Sequence, residues 1–219
     1  MMKKNLFDAQ VEVLNQQMVE MCGMIENTLE AATDVLQKLD KVRAQEIIEG
    51  DSVIDRKERE IESLCLRMLL TRQPVAHDLR VVSSALKMIT DMERIADHAA
   101  DISEIVTMID YDIDAQPPHF LAMSRTAIDM VHRAVDAYVR QDAELARVVI
   151  KDDDIVDNLF VEVKQEIVDF MVKDSHRSVE GMDYLMIAKY YERIGDHATN
   201  IAEWVEYCVT GLYKGDVLR

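Results

Sequence analysis

Residues 91–102 read DMERIADHAADI and residues 190–201 read YYERIGDHATNI, with seven of the twelve positions identical. A phrase that returns 99 residues later constrains the fold more than any local propensity does, because a duplicated unit must bury its apolar faces against its own copy or its neighbours. The flanking sequence repeats in step. At an offset of 102, Asp34 matches Asp136, Asp40 matches Asp142, Ala44 matches Ala146, Ile48 matches Ile150, Asp51 matches Asp153 and Asp55 matches Asp157. The offset is 99 at the phrase itself, so loop lengths differ between the halves while the elements correspond.

The repeated element is a helix. Apolar residues recur every three or four positions through most of the chain, and alternating strand patterns are nearly absent, which gives an all-α class. Punctuation at KLDK (38–41), RQP (72–74), DAQPPH (114–119) and DSHRSVEG (174–181) cuts the chain into six helices. The first three are predicted over about Phe7–Leu39, Ala44–Leu70 and Val75–Ile109, with Pro74 suited to the start of the third. The fourth starts at His119, the fifth covers 144–172 and the sixth covers 182–209. The expected architecture is two tandem, pseudo-repeated three-helix bundles: 1–113, a linker at 114–118, and 119–219. They pack up-down-up with short connections, as two units or one compact domain.

Composition narrows the function. With 42 acidic residues against 25 Lys and Arg, the formal net charge is −17, which repels phosphate backbones and anionic lipid, so nucleic acid is not an expected partner. Cys22, Cys65 and Cys208 are an odd number at no metal-ligand spacing and read as reduced core thiols of a cytoplasmic protein. No stretch approaches the roughly 18 apolar residues of a membrane span, and MMKKNLFDAQ lacks the apolar core of a signal peptide. Gly-rich phosphate loops, nucleophile elbows and paired Cys and base are all missing.

What the repeat carries is oxygen donors. At 100° per residue, Glu93, Asp97 and Asp101 share one face of the third helix, away from the side carrying Met88, Met92, Ile95, Ala99 and Ile102. Glu192, Asp196, Asn200 and Glu203 repeat the stripe on the sixth. Asp51 with Asp55, and Asp153 with Asp157, put a similar pair on the second and fifth helices. In antiparallel hairpins, residues equidistant from the turn lie side by side. Residues 55 and 93, and 51 and 97, share the midpoint 74; 157 with 192, and 153 with 196, centre near 174.5. Each hairpin is therefore expected to gather four carboxylates.

Like charges four residues apart cost a few tenths of a kcal/mol each on a helix, and gathering them across helices costs more. A hard cation offsets that repulsion: carboxylate, amide and water oxygens suit Mg²⁺, Mn²⁺, Ca²⁺ or iron, whereas closed structural zinc sites favour Cys or His. The open alternative is a solvated acidic face eased by Arg94, Arg193 or a helix dipole. His98 and His197 lie about 100° from the preceding aspartate and rank below the carboxylates as ligands. Met18, Met21 and Met24 read as core, while Trp204 fits packing or a contact equally well. A flat outer helix face offers little of the concavity that reaction sites use.

The phrases ERIADHAADI and ERIGDHATNIAE, with RQPVAHDLR, EGDSVID and KDDDIVD, resemble the PhoU family of phosphate-uptake regulators, and the likeness covers essentially the whole chain. The resemblance implies a cytoplasmic, non-enzymatic negative regulator of phosphate-starvation signalling. It would bind the ATPase subunit of a phosphate ABC transporter and a sensor histidine kinase, reach the membrane only through them, and form a homodimer. It also implies divalent or trivalent metal ions, Fe, Mn, Mg or Zn. The first site would involve Asp51, Asp55, Glu93, Asp97 and Asp101, and the second Asp153, Asp157, Glu192, Asp196, Asn200 and Glu203. Asn200 stands where the first half has Asp101, so the second cluster should be weaker or hold fewer ions. A metal-dependent enzyme or metal store using the same carboxylates is the competing reading, and a plain helical scaffold is a third.

Overall fold

The computed structural model describes residues 6–71, 76–110, 117–214 and 216–217. The six helices expected from the periodicity are present as α1 (Leu6–Lys38), α2 (Lys41–Thr71), α3 (Ala76–Met108), α4 (Phe120–Arg140), α5 (Ala143–Lys173) and α6 (Ser178–Thr210). Pro74, Val75 and most of the 114–118 linker lie outside the described residues.

The duplication is written into the backbone as well as the sequence. α1 and α4 each end on a left-handed residue, Leu39 and Gln141, both at φ 53°. In each, the next amide bonds back over the last turn, Asp40 N to Val35 O at 3.2 Å and Asp142 N to Ala137 O at 2.9 Å. These bonds satisfy carbonyls that a helix end otherwise leaves orphaned. The same aspartates then cap the following helices: Asp40 Oδ1 accepts from Arg43 N at 3.1 Å, and Asp142 Oδ1 from Glu144 N and Leu145 N, both at 3.0 Å. A carboxylate at an N-cap is worth about 1 kcal/mol.

The turn between α5 and α6 is shorter than DSHRSVEG suggested. Only Ser175–Arg177 form a 3₁₀ turn, and α6 starts at Ser178. Asp174 Oδ1 accepts from His176 N at 3.0 Å, and Arg177 closes on buried Glu180 through two bonds of 2.6 Å. Gly181, which reads as a loop residue, lies inside the helix because a Cβ there would meet Met171 Cγ at 2.5 Å. The glycine permits the close approach of α5 and α6.

α3 and α6 form the central pair. α3 packs on α1, α2 and α6, and α6 packs on α3, α4 and α5, with α1 against α4 on the far side. One apolar core runs through both halves. It is aliphatic and Met-rich, with Leu14, Met18, Met21, Ile25, Met88, Met92 and Tyr191 fully buried, each such side chain contributing about 1.5–3 kcal/mol. Polar bonds stitch the halves together: Thr33 Oγ1 to Tyr191 Oη at 2.9 Å and Tyr138 Oη donating to Asn15 Oδ1 at 2.8 Å. His119 fixes the start of the second half through Glu166, its amide at 3.1 Å and its Nδ1 at 2.6 Å. Cys22, Cys65 and Cys208 are free and buried, as read from the sequence.

After α6 the chain turns at Gly211, whose φ of +80° is a conformation that suits glycine. Leu212–Tyr213 then pair antiparallel with Asp216–Val217, a two-residue hairpin that helical periodicity gives no hint of.

Candidate functional site

The α2–α3 hairpin brings the first carboxylates together as the midpoint argument required. Asp51, Asp55 and Asp97 each present an oxygen within 4.8 Å of the other two. All three are half-buried, so the stripe lies in the groove between two helices and not on an open outer face. Burial first, and then the charges of Asp97, Asp55 and Asp101, push the Asp51 carboxyl up to about 6. Its Oδ1 is buried and has no hydrogen-bond partner among the described residues. Glu93 is raised by burial and by Asp97, with Arg94 opposing and Glu58 and Asp55 reinforcing.

Glu58 is a member that the sequence reading left out. Its carboxyl is raised by burial, then by Glu62 and Asp55. The signal was available, since 51, 55 and 58 continue the i, i+4, i+7 spacing of one helix face. Two cations edge this cluster: Arg94 lies 2.7 Å from Asp97 and 3.5 Å from Glu93, and Arg59 lies 3.2 Å from Asp55.

The α5–α6 hairpin gathers the corresponding group. Asp196 is pushed up to about 6 by desolvation, then by Glu192, Asp153 and Asp157. Its side chain is exposed by surface area yet stands among enough protein to lose hydration. Asp153 is raised mainly by burial, with the Thr199 hydroxyl, donating at 3.1 Å, opposing. Lys189 is hydrogen-bonded to Glu192 and lies 5.3 Å from the Phe160 ring centre. Among the described residues no other trio of His, Cys, Asp or Glu approaches as closely as Asp51, Asp55 and Asp97.

The ends of both stripes turn elsewhere. Asp101 faces His98 Nδ1 at 3.3 Å. Asn200 donates to Asp91 Oδ1 at 3.0 Å, and His197 Nδ1 shares that oxygen at 2.8 Å, so both reach across the α3–α6 interface. Glu203 pairs with Lys214 at 2.9 Å. His98 packs within 5.4 Å of the Tyr190 ring and 5.6 Å of the His197 ring, and its burial holds its pKa below the usual histidine value. The repeated histidines therefore serve the seam between the halves. Arg193, offered with Arg94 as a counter-ion, has no ion pair among the described residues; Lys189 takes that part in the second half.

The face is not flat. An open cleft of about 570 Å³ lies beside the second cluster, lined by Asp153, Asp196, Asn200, Glu203, Arg193 and Lys214 among others. Trp204 packs locally, stacked on Tyr213 with ring centres 4.3 Å apart and edge-on to Tyr207 at 5.7 Å. No helix among the described residues is long and apolar enough to cross a membrane.

The donor chemistry fits a hard cation: all-oxygen groups with carboxyls raised by crowding, and a buried carboxylate oxygen that nothing in the described chain satisfies. Such a site loads better as pH rises, because ligands must be deprotonated.

Comparison with known proteins places the whole chain. The profile of the PhoU domain matches residues 18–106 and again 120–205, so the two matches fall on the two halves of the duplication. The phosphate-specific transport system accessory protein PhoU homolog of Clostridium acetobutylicum is 33% identical over 215 residues, covering 96% of this chain and 97% of that one. The phosphate-specific transport system accessory protein PhoU of Escherichia coli is 32% identical over 208 residues, covering 94% and 86%. The crystal structure of PhoU from Pseudomonas aeruginosa superposes with a TM-score of 0.88 at 33% identity, over 94% of this chain and 99% of that one. The crystal structure of the phosphate transport system regulatory protein PhoU from Streptococcus pneumoniae gives 0.87 at 28%, over 94% and 98%. With its duplicated three-helix plan, its twin acidic hairpins and these matches along nearly its full length, the chain belongs to the PhoU family.

Proposed function

We propose that this chain is a cytoplasmic, non-enzymatic accessory protein of a phosphate ABC transporter that restrains phosphate-starvation signalling. It acts by occupying surfaces of the transporter ATPase subunit and of a sensor histidine kinase. Binding one conformation of a partner better than another shifts that partner's equilibrium, and no chemistry at the bound face is needed. The observation that carries the reading is the likeness, over almost all of both chains, to relatives named as accessory proteins of the phosphate-specific transport system.

In this reading the halves 1–113 and 119–219 are two copies of one binding unit joined by the 114–118 linker, and the chain works as a homodimer. The first metal site uses Asp51, Asp55, Glu93, Asp97 and Asp101, and the second uses Asp153, Asp157, Glu192, Asp196, Asn200 and Glu203. Iron, manganese, magnesium or zinc bound there would neutralise crowded carboxylates and stiffen each hairpin.

The test is co-purification of the chain with the ATPase subunit and with the kinase from cells grown at high and at low phosphate. Retention of either partner that changes with phosphate supports the proposal; absence of both partners in both conditions sinks it. A metal-dependent hydrolase is the second reading, favoured only by the open cleft beside the second cluster. Metal-dependent turnover of phosphate esters that disappears in Asp196→Asn would establish it instead.

A further inference from the structure

The C-terminal segment folds back onto the second cluster. Gly211 N closes on Tyr207 O at 2.8 Å, Leu212 N bonds to Thr210 Oγ1 at 3.1 Å, and the 212–213 and 216–217 strands pair. Tyr213 lies on Trp204, with Tyr207 edge-on to both. Lys214, at the turn with φ 50°, reaches Glu203 at 2.9 Å. Its side chain remains 57% exposed, while that of Glu203 is reduced to 12%. Glu104, the counterpart of Glu203 in the first half, is exposed. Lys214 and Glu203 both line the cleft that contains Asp153, Asp196 and Asn200. The chain thus places a tethered ammonium at one end of a carboxylate cleft and pins it there by an aromatic stack.

We propose that Gly211–Lys214 is a strap whose Lys214 competes with metal ions for the cleft of the second cluster, so that an ion loads there as the strap lifts. The inference rests on the cation reading of the clusters given above. An ammonium and a hard cation make the same demand on Glu203, and a divalent ion serves several carboxylates where Lys214 serves one. Stacking of Tyr213 on Trp204 contributes about 0.5–1.5 kcal/mol beyond area burial, enough to bias the strap closed and small enough for ion binding to overcome. Trp204 is the only tryptophan in the chain and stacks on Tyr213, so its emission responds to the strap's contact.

The experiment is a Mn²⁺ titration of metal-free full-length chain. Bound ion is read by electron paramagnetic resonance and strap position by the wavelength of the Trp204 emission maximum. Wild type is compared with Lys214→Ala, each also in an Asp51→Asn/Asp97→Asn background that silences the first cluster. In that background Lys214→Ala is expected to tighten Mn²⁺ binding by about three- to tenfold, the scale of one ion pair. Loading of the Lys214-bearing chain is expected to shift Trp204 emission to the red. Equal Mn²⁺ affinity with and without Lys214, or loading without a spectral shift, overturns the strap while leaving the first cluster's Mn²⁺ uptake intact. Absence of bound Mn²⁺ at both clusters in every chain overturns the cation reading and the strap with it.

Discussion

The two carboxylate clusters are built from one duplicated plan and answer their crowding differently. In the first, Asp51, Asp55 and Asp97 converge within 4.8 Å, and a buried oxygen of Asp51 finds no partner among the described residues. In the second, Thr199 donates to Asp153, Lys189 to Glu192, and Lys214 pairs with Glu203, while Asp196 stands among Glu192, Asp153 and Asp157 and is raised to about 6. Asn200, which replaces Asp101 in the alignment, is spent on Asp91 across the seam. Duplication fixes where carboxylates gather, and the neighbours acquired afterwards decide how much charge is left over. The first cluster keeps the tighter convergence of carboxylate oxygens, which is what a bound cation needs.

The largest effect should come from the core that both halves share. Tyr191 and Met92 are counterparts under the 99-residue offset and both are fully buried. Tyr191→Ala should cost about 3–5 kcal/mol and Met92→Ala about 2–5, each lowering the midpoint of a single urea transition. Two separate transitions, with only one shifted by each substitution, would show that the halves fold independently.

A smaller effect separates the clusters by pH. Asp51 and Asp196 are both raised to about 6 from an ordinary value near 4, so the folded chain binds more protons than the unfolded chain between those values. Stability of the metal-free protein is therefore present at low pH and lost as pH rises through about 6. After solvent screening the loss at Asp51 is on the order of 1 kcal/mol. Urea midpoints at pH 5 and 7.5 in chelator, for wild type and Asp51→Asn, check this: the substitution should stabilise at pH 7.5 and flatten the dependence.

Gly195 stands where the first phrase has Ala96. A Cβ there would lie 3.4 Å from Val156 Cγ1, an ordinary contact, so Gly195→Ala should stabilise by roughly 0.5–1 kcal/mol through helix propensity. Thermal unfolding reads the sign directly, and a loss would mean that the second hairpin is packed more tightly than the first. The smallest contrast is Arg94→Ala against Arg193→Ala. Removing Arg94 strips the first cluster of one of its two bound cations and should cost the metal-free protein about 0.5 kcal/mol, whereas Arg193→Ala should change little.

How much of this the sequence disclosed depends on range. Helix periodicity located all six helices, and the offset matched Asp40 with Asp142 without disclosing that both are caps. The midpoint rule paired Asp51 with Asp97, because antiparallel geometry turns sequence distance from a turn into spatial proximity. It carried no information on contacts between hairpins, so Asp91 with His197 and Asn200 went unseen. Val179 and Glu180 read as turn because the propensity of DSHRSVEG is weak, whereas the Arg177–Glu180 pair and the fit of Gly181 against Met171 are tertiary. Gly211 marked the end of α6 and could have warned of a turn; the stack of Tyr213 on Trp204 had no local signature.

The most direct test of the central claim is metal content per chain, by mass spectrometry on purified protein. Wild type is set beside Asp51→Asn/Asp97→Asn and Asp153→Asn/Asp196→Asn. The account predicts bound metal in wild type, most of it lost in the first variant and less in the second. Equal, negligible metal in all three would contradict it, leaving both repeats of the acidic phrase as solvated, ion-paired faces.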